Sequence, residues 1–276
     1  EELTCWEMVY AIDASGSQRY TWVTSDPLNP DADYDGLTDF KEKTFGYNPN
    51  VPSDPNMLAM SAGVQEAGAP ILLVRLDEAA GAQTFRDYAS ATNVATCAPA
   101  TCPEAGQNGR YAYAAQFGSG DSLSLPNGPV NRLSKNFTVA AWIRPTTVSG
   151  NQNILATAAT RSGSNGFAFG LSNTSLSFRT YNVTTYNAAV GLQANQWTHV
   201  AAVMDSANAV SFYVNGVFRQ KVTSANPATP DTDDVLVIGA TSATNSFNGL
   251  LNDVTVFDRA LSTAEVQAVM GGRFNR

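Results

Sequence analysis

Residues 31–42, DADYDGLTDFKE, set five carboxylates into twelve positions: Asp31, Asp33, Asp35, Asp39 and Glu42. Calcium takes about six to eight oxygens at roughly 2.3–2.6 Å, and a twelve-residue loop supplies them from positions 1, 3, 5, 9 and 12, with a backbone carbonyl at 7 and glycine at 6. Read from Asp31, the sixth residue is Gly36 and the seventh is Leu37, whose carbonyl completes the set. Without a cation, five crowded carboxylates raise one another's pKa and push the loop open. The spacing therefore predicts a calcium site, with calcium as the cofactor.

The surroundings define what kind of site it is. Pro27 and Pro30 stand immediately upstream and forbid an incoming helix, so the EF-hand ligand order occurs here without the EF-hand's first helix. DPLNP and NPNVPSDPN flank the loop with connector chemistry, and TDFKEKTF is expected to form a short helix stopped at Gly46. A helixless entry suits a rigid joint better than a sensor that swings two helices apart. The acidity is local: residues 26–42 hold six acids against one base, in a 276-residue chain of net charge −8 with only 14% charged residues. No Lys/Arg-rich run is present, which argues against a nucleic-acid partner. No apolar stretch reaches the length of a membrane span, so direct membrane insertion is not expected.

Other residues that could do chemistry are sparse. His199 is the only histidine and lies inside the strand-like run WTHVAAVM, where packing is the expected role. Cys97 and Cys102 of CAPATC cannot build a four-ligand zinc site alone, and a small disulfide ring, which implies oxidising surroundings, is expected there in preference to two reduced loop thiols. Cys5 is left over, free or paired elsewhere. A sugar-binding rim would need exposed aromatics and amides, and Tyr181, Asn182 and Tyr186 in TYNVTTYN are the candidates.

Strands must position these groups. From residue 69 onward, ILLVRLDE, FTVAAWIRP, WTHVAAVMDS, AVSFYVNGVFRQKVT and GLLNDVTVFDRAL are short runs separated by turn residues, several with period-two alternation. Asn215–Gly216 marks a type I′ hairpin. Ser262 and Glu265 form a capping box for TAEVQAVM, which Gly271–Gly272 terminates. Many strands, one short helix and no βαβ alternation predict an all-β, antiparallel two-sheet sandwich with a small N-terminal calcium-loop connector. The expected organisation is a short β segment at 1–25 (the tail of a preceding domain or a pairing strand), the calcium connector at 26–56, a linker at 57–68 and the sandwich at 69–272. The chain begins in what reads as mid-domain sequence and is expected to be a piece of a longer protein.

SLSLPNG…FTVAAWIRP, LQANQWTHVAAVMDSANAVSFYVNGVFR and LVIGATSATNSFNGLLNDVTVFDRALSTAEV, in that order, resemble the LamG-like jelly rolls of the concanavalin A-like lectin/glucanase superfamily. SDPLNPDADYDGLTDFKEKTFGYNPNVPSD similarly looks like a bacterial thrombospondin type 3 calcium-binding repeat. The first resemblance implies a jelly roll and a second, structural calcium between the early and last strands. Asp77, Asp87, Asn252 and Asp253 are its ligand candidates, with Asn252 standing where the family usually has Asp. The acidic Glu-x-Asp-x-x-Glu strand motif of the superfamily's glucanases is not found, so no catalytic residues are expected. The resemblances imply a non-enzymatic adhesion or structural module of a large bacterial surface protein, extracellular or at the cell surface. The alternatives are a carbohydrate-binding module of a secreted glycosidase and a filament subunit that exchanges strands through residues 3–24. The partners implied are cell-surface or matrix glycans, or other copies of the chain.

Overall fold

The computed structural model describes residues 6–12 and 18–23 by their backbone, and residues 67–272 apart from 91, 111–112, 158–164, 225–234 and 241–244. The chain divides into two units, Ala69–Gln267 with the terminal Arg276, and Glu1–Gly68 with Ala268–Asn275. In the latter, β1 (Trp6–Ile12) and β2 (Gln18–Val23) pair antiparallel with each other as a separate two-stranded sheet. The two N-terminal runs are thus each other's partners.

The larger unit is all-β. Its strands begin with β3 (Leu72–Val74), β4 (Thr84–Arg86), β5 (Val94–Thr96), β6 (Glu104–Asn108), β7 (Tyr113–Phe117), β8 (Ser122–Leu125), β9 (Phe137–Pro145) and β10 (Asn151–Ala156). They continue with β11 (Phe167–Ser172), β12 (Ser175–Thr180), β13 (Thr184–Ala188), β14 (Thr198–Met204), β15 (Ala209–Val214), β16 (Val217–Thr223), β17 (Leu236–Gly239) and β18 (Gly249–Phe257). Two antiparallel sheets result. The first has the order β16-β15-β14-β9-β18-β7-β6 with β3 also on β18, and the second has the order β13-β12-β11-β10-β17-β8-β5-β4. This is the two-sheet jelly-roll sandwich expected.

β18 organises the first sheet. It pairs with β9 along one edge, and its other edge serves β7 with Gly249–Leu251 and β3 with Val254–Val256. The changeover falls at a bulge between Asn252 and Thr255, where Asp253 has φ +51°. Bulges bend a strand and re-aim its side chains.

Between the sheets lies an apolar core. One of its seams is aromatic: Phe137 lies 4.9 Å from Phe167, Phe167 stacks at 5.3 Å on Phe178, and Phe178 meets Tyr186 edge-on at 6.1 Å. Such pairs contribute about 0.5–1.5 kcal/mol beyond the burial of their area. The turns use the residue types that the sequence offers. Asn136, Asn173, Asn182, Asn195, Asn208 and Asn215 all have positive φ, which asparagine tolerates because its short amide bonds back to the chain. Asn215 and Gly216, at φ +51° and +72°, close the β15–β16 hairpin as the type I′ signal requires.

α1 (Thr263–Met270) carries the expected capping box: the Ser262 amide donates to Glu265 Oε2 at 2.7 Å, and the Glu265 amide donates to Ser262 Oγ at 3.3 Å. Its first turns lie against the outward side of the first sheet. Tyr213 Oη is 3.4 Å from Thr263 Oγ1, and Gln267 Nε2 donates to the Gly216 carbonyl at 3.2 Å. Thr138 Oγ1 donates to the Arg259 carbonyl and accepts from the Leu261 amide, which ties the segment before the helix to β9. Among the described residues no helix is long and apolar enough to cross a membrane.

Phe178→Ala should lower the unfolding free energy by about 3–5 kcal/mol in chemical denaturation, because it hollows the aromatic seam. Phe218→Ala, at a side chain 47% exposed, should cost less than about 1 kcal/mol. Similar losses at the two positions would contradict the core described.

Candidate functional site

The calcium loop (Asp31, Asp33, Asp35, Leu37, Asp39 and Glu42) lies outside the described residues. Cys97 and Cys102 are joined by a disulfide that closes the loop between β5 and β6.

The four residues expected around a second calcium do not assemble into one ligand set. Asp77 and Asp253 do approach a common place. Asp77 lies 4.0 Å from the Arg75 guanidinium, and Asp253 feels the charges of both Arg75 and Asp77. Burial pushes the Asp253 carboxyl up to about 7, Arg75 works against that rise, and Asp77 adds to it. Asn252 is held at both ends, with Nδ2 donating to the Arg75 carbonyl at 2.7 Å and Oδ1 accepting from the Arg110 amide at 3.1 Å. Asp87 is buried, and its Oδ1 accepts the amides of Leu73 and Ala89, both at 3.0 Å. Burial raises its carboxyl while these hydrogen bonds and one from Asn93 oppose the rise. Asp87 therefore fastens β3 to the loop after β4. The positive charge beside Asp77 is a guanidinium of the chain itself. Among the described residues no three of His, Cys, Asp and Glu group as metal ligands.

Arg75 also stacks on Tyr88, its guanidinium 4.8 Å from the ring centroid, with Arg86 at 4.9 Å. Leu76, next in sequence to both Arg75 and Asp77, is fully buried at φ +64°. A bulky residue in the left-handed region costs about 1–3 kcal/mol and is held there by its surroundings.

His199 is structural, as its strand position implied. It is buried on β14 beside Trp142 of the adjacent β9, the two rings edge-on at 5.4 Å, and its Nδ1 has no hydrogen-bond partner among the described residues. Burial drives its pKa down to about 3, so the imidazole is neutral. Arg110 lies 5.0 Å over the same Trp142 ring.

The face able to meet a ligand is the outward side of the second sheet. Register places Gly170 of β11 between Asn153 and Ser177, Ser177 opposite Asn187, and Arg179 between Ala168 and Thr185. The alternate residues, Phe167, Phe169, Phe178 and Tyr186, go into the core. A small, shallow depression lies here, lined by Gln152, Asn153, Ala168, Gly170, Leu171, Ser177 and Arg179. Glycine is required at 170 because the Gln152 carbonyl oxygen, next to the bulge in β10, occupies the place a Cβ would take. Gln152 is spent on structure: Nε2 donates to the Thr147 carbonyl at 2.8 Å, and Oε1 accepts from the Asn248 amide at 3.0 Å.

Of the expected rim residues, Tyr186 must be corrected. It is fully buried, and its hydroxyl donates to the Asn208 carbonyl at 3.2 Å. Its neighbours Thr185 and Asn187 are the exposed ones. Tyr181 is half-buried and Asn182 exposed, at the β12–β13 turn. Alternation in TTYNA was the signal for Thr185 and Asn187, whereas a search for aromatics selects the wrong parity.

A family model described as the concanavalin A-like lectin/glucanases superfamily matches residues 117–267, more than half of the chain, and the chain belongs to that superfamily. No curated protein matches it. Among solved structures, it is similar to domain 4 of AbnA, a GH43 extracellular arabinanase from Geobacillus stearothermophilus, solved in complex with arabinotriose. Identity there is 19% and the TM-score 0.56, over 75% of this chain and 100% of that domain. The binding domain of Paraclostridial Mosquitocidal Protein 1 is similar at 14% identity and TM-score 0.56, over 73% of this chain and 52% of that one. Trypanosoma rangeli sialidase is similar at 16% identity and TM-score 0.55, over 76% of this chain and 33% of that one. The chain thus spans about half of the toxin structure and a third of the sialidase. At these identities the likeness is one of fold.

His199 sets a pH test. Its folded pKa is near 3 against an ordinary 6.5, so between those values the unfolded chain takes up a proton that the folded chain refuses. Its contribution is complete above about pH 6.5 and is lost as pH falls toward 3. Asp253, raised from 3.8 to about 7, has the opposite slope between those values, but it is common to wild type and a His199→Phe variant. Melting temperatures should therefore fall more steeply for wild type than for the variant between pH 6.5 and 4. Parallel profiles would refute the buried neutral imidazole.

Proposed function

We propose that this chain is a non-catalytic, lectin-like module of a secreted or surface-exposed protein, joined through a calcium-braced connector to whatever precedes it. The observation that carries this reading is the chemistry of the second sheet. Its strands TFR, VAT, SLSL, NQNILA, FAFGLS, SLSFRT, TTYNA and LVIG contain no Asp or Glu. Glycoside cleavage ordinarily uses two carboxylates about 5–10 Å apart. Serine, threonine and asparagine side chains instead suit hydroxyl recognition. The arabinotriose in the similar arabinanase domain and the similar toxin binding domain lend support. A purely architectural module, favoured by the connector alone, leaves this outward polar face without a use.

The connector is proposed to hold calcium through Asp31, Asp33, Asp35, the Leu37 carbonyl, Asp39 and Glu42. The fit lies in the donor set, five carboxylates in the order that calcium takes them. Bound there, the ion neutralises their repulsion and stiffens residues 26–56. Self-association through the N-terminal hairpin has no comparable support.

The binding reading is tested on a glycan array with the whole chain. Retention of at least one saccharide family, reproduced in solution by calorimetry, is expected, and failure to bind any glycan at millimolar concentration would refute it. Calorimetric titration with calcium should show heat that disappears in Asp31→Asn/Asp35→Asn. At free calcium a hundredfold above Kd, binding stabilises the folded form by about 2.7 kcal/mol. Chelator should expose residues 26–56 to protease while the sandwich melts unchanged. A sandwich melting point that drops with chelator would contradict a connector-only site.

A further inference from the structure

We infer that the face around Arg179 receives a saccharide bearing a carboxylate, a uronic or sialic acid unit, and that Arg179 is the residue that recognises its charge. This rests on the lectin-like reading and sharpens it. Among strands β5, β8, β10–β13 and β17, Arg179 is the only charged side chain. It is half-buried on β12, and among the described residues its guanidinium makes no hydrogen bond, ion pair or ring contact. Five other arginines of the unit are engaged, Arg75 with Asp77, Arg86 on Tyr88, Arg110 on Trp142, Arg144 with the Asn195 carbonyl and Arg259 with Glu265, while Arg132 and Arg219 are exposed to solvent. Removing a guanidinium partly from water without a partner costs free energy that nothing in this sheet returns. A sheet whose strands hold no carboxylate, and whose β10–β13 half carries a single unpartnered cation, is arranged for an anion that comes from outside.

The neighbours of Arg179 say what kind of anion. A planar guanidinium presents two parallel N–H donors, the match for a planar carboxylate. One cation balances one negative charge, which favours a monoanion over a phosphate dianion. Cross-strand from Arg179 stand Ala168 and Thr185, and one pair along stand Gly170, Ser177 and Asn187. Ala168, Gly170 and Ser177 line a small depression beside Arg179. Thr185 and Asn187 are exposed and offer hydrogen bonds to ring hydroxyls, with Ser177 between them and the floor. Charge and hydroxyl recognition thus meet within two rungs of one ladder.

The test uses the whole chain in calorimetric or NMR titrations with trigalacturonate, a hyaluronate hexasaccharide and sialyllactose, each beside its carboxyl methyl ester, and with a neutral and a sulfated oligosaccharide. At least one acid should bind about tenfold or more tightly than its own ester, as expected for a charge-assisted pair. The preference should weaken at high salt and vanish in Arg179→Gln. Arg179→Lys, which keeps the charge without the fork, should fall between. The Gln variant should melt at or above wild type, which separates lost recognition from lost folding. Equal binding of acid and ester, an acid preference that survives in Arg179→Gln, or a sulfated ligand that outcompetes every carboxylate would overturn the inference. Binding of neutral glycans alone would overturn it while leaving the lectin-like reading intact, and binding of no saccharide would overturn both.

Discussion

The sandwich depends on one irregular place in its most connected strand. β18 serves β9 on one side and two different strands on the other, and the change of neighbour falls at its bulge, Asn252–Thr255. A single carbonyl secures the junction: Arg75 O accepts both the Asp253 amide, at 3.0 Å, and Asn252 Nδ2, at 2.7 Å. Asn252 Oδ1 then fixes the chain leading into β7 through the Arg110 amide. β3, β7 and β18 are thus locked by groups that are polar and buried, where an unmatched partner is expensive. This explains why asparagine serves there. A carboxylate can accept the Arg110 amide, but it has no donor for the Arg75 carbonyl.

With that junction set, the two sheets divide the labour. The first sheet spends its outward side on internal contacts: the start of α1 lies over Tyr213 and the β15–β16 turn, and His199, Trp142 and Arg110 form a stack further along. Its outward residues are accordingly apolar, with Ala201 buried in register between Ala140 and Tyr213. The second sheet carries Ser177, Arg179, Thr185 and Asn187 at the same parity. A face that only kept the domain soluble would intersperse charges of both signs. This one holds hydroxyls and amides with Arg179 and, at the far edge, Arg86, and no acid on its strands.

Much of this was legible in the sequence, where local chemistry decides. Asn215–Gly216, the Ser262–Glu265 box and the Cys97–Cys102 ring are each determined by residues a few positions apart, and all three occur as read. Period-two runs located the strands. What alternation cannot state is which parity faces the other sheet, and so Tyr186 was expected on a rim although its ring closes the core seam. Nor can spacing reveal partners distant in sequence. Asn252 and Asp87 matched a metal set by position, yet their hydrogen bonds go to Arg75, Arg110, Leu73 and Ala89, contacts that only the folded topology creates. Arg179 was invisible for a related reason, because an arginine between apolar residues signals exposure without showing that no acid shares its sheet.

The chain's charges are therefore segregated in a way that constrains any ligand. Six acids crowd residues 26–42 and the net charge is −8, whereas strands β10–β13 are free of acid. The long-range field repels an anionic glycan, and beyond a Debye length of about 8 Å at physiological salt that field is screened. Recognition on the second sheet must then be a short-range matter of one fork and a few hydrogen bonds, slow to form and selective once formed. A calcium ion in the connector, as proposed, would cancel part of that net charge.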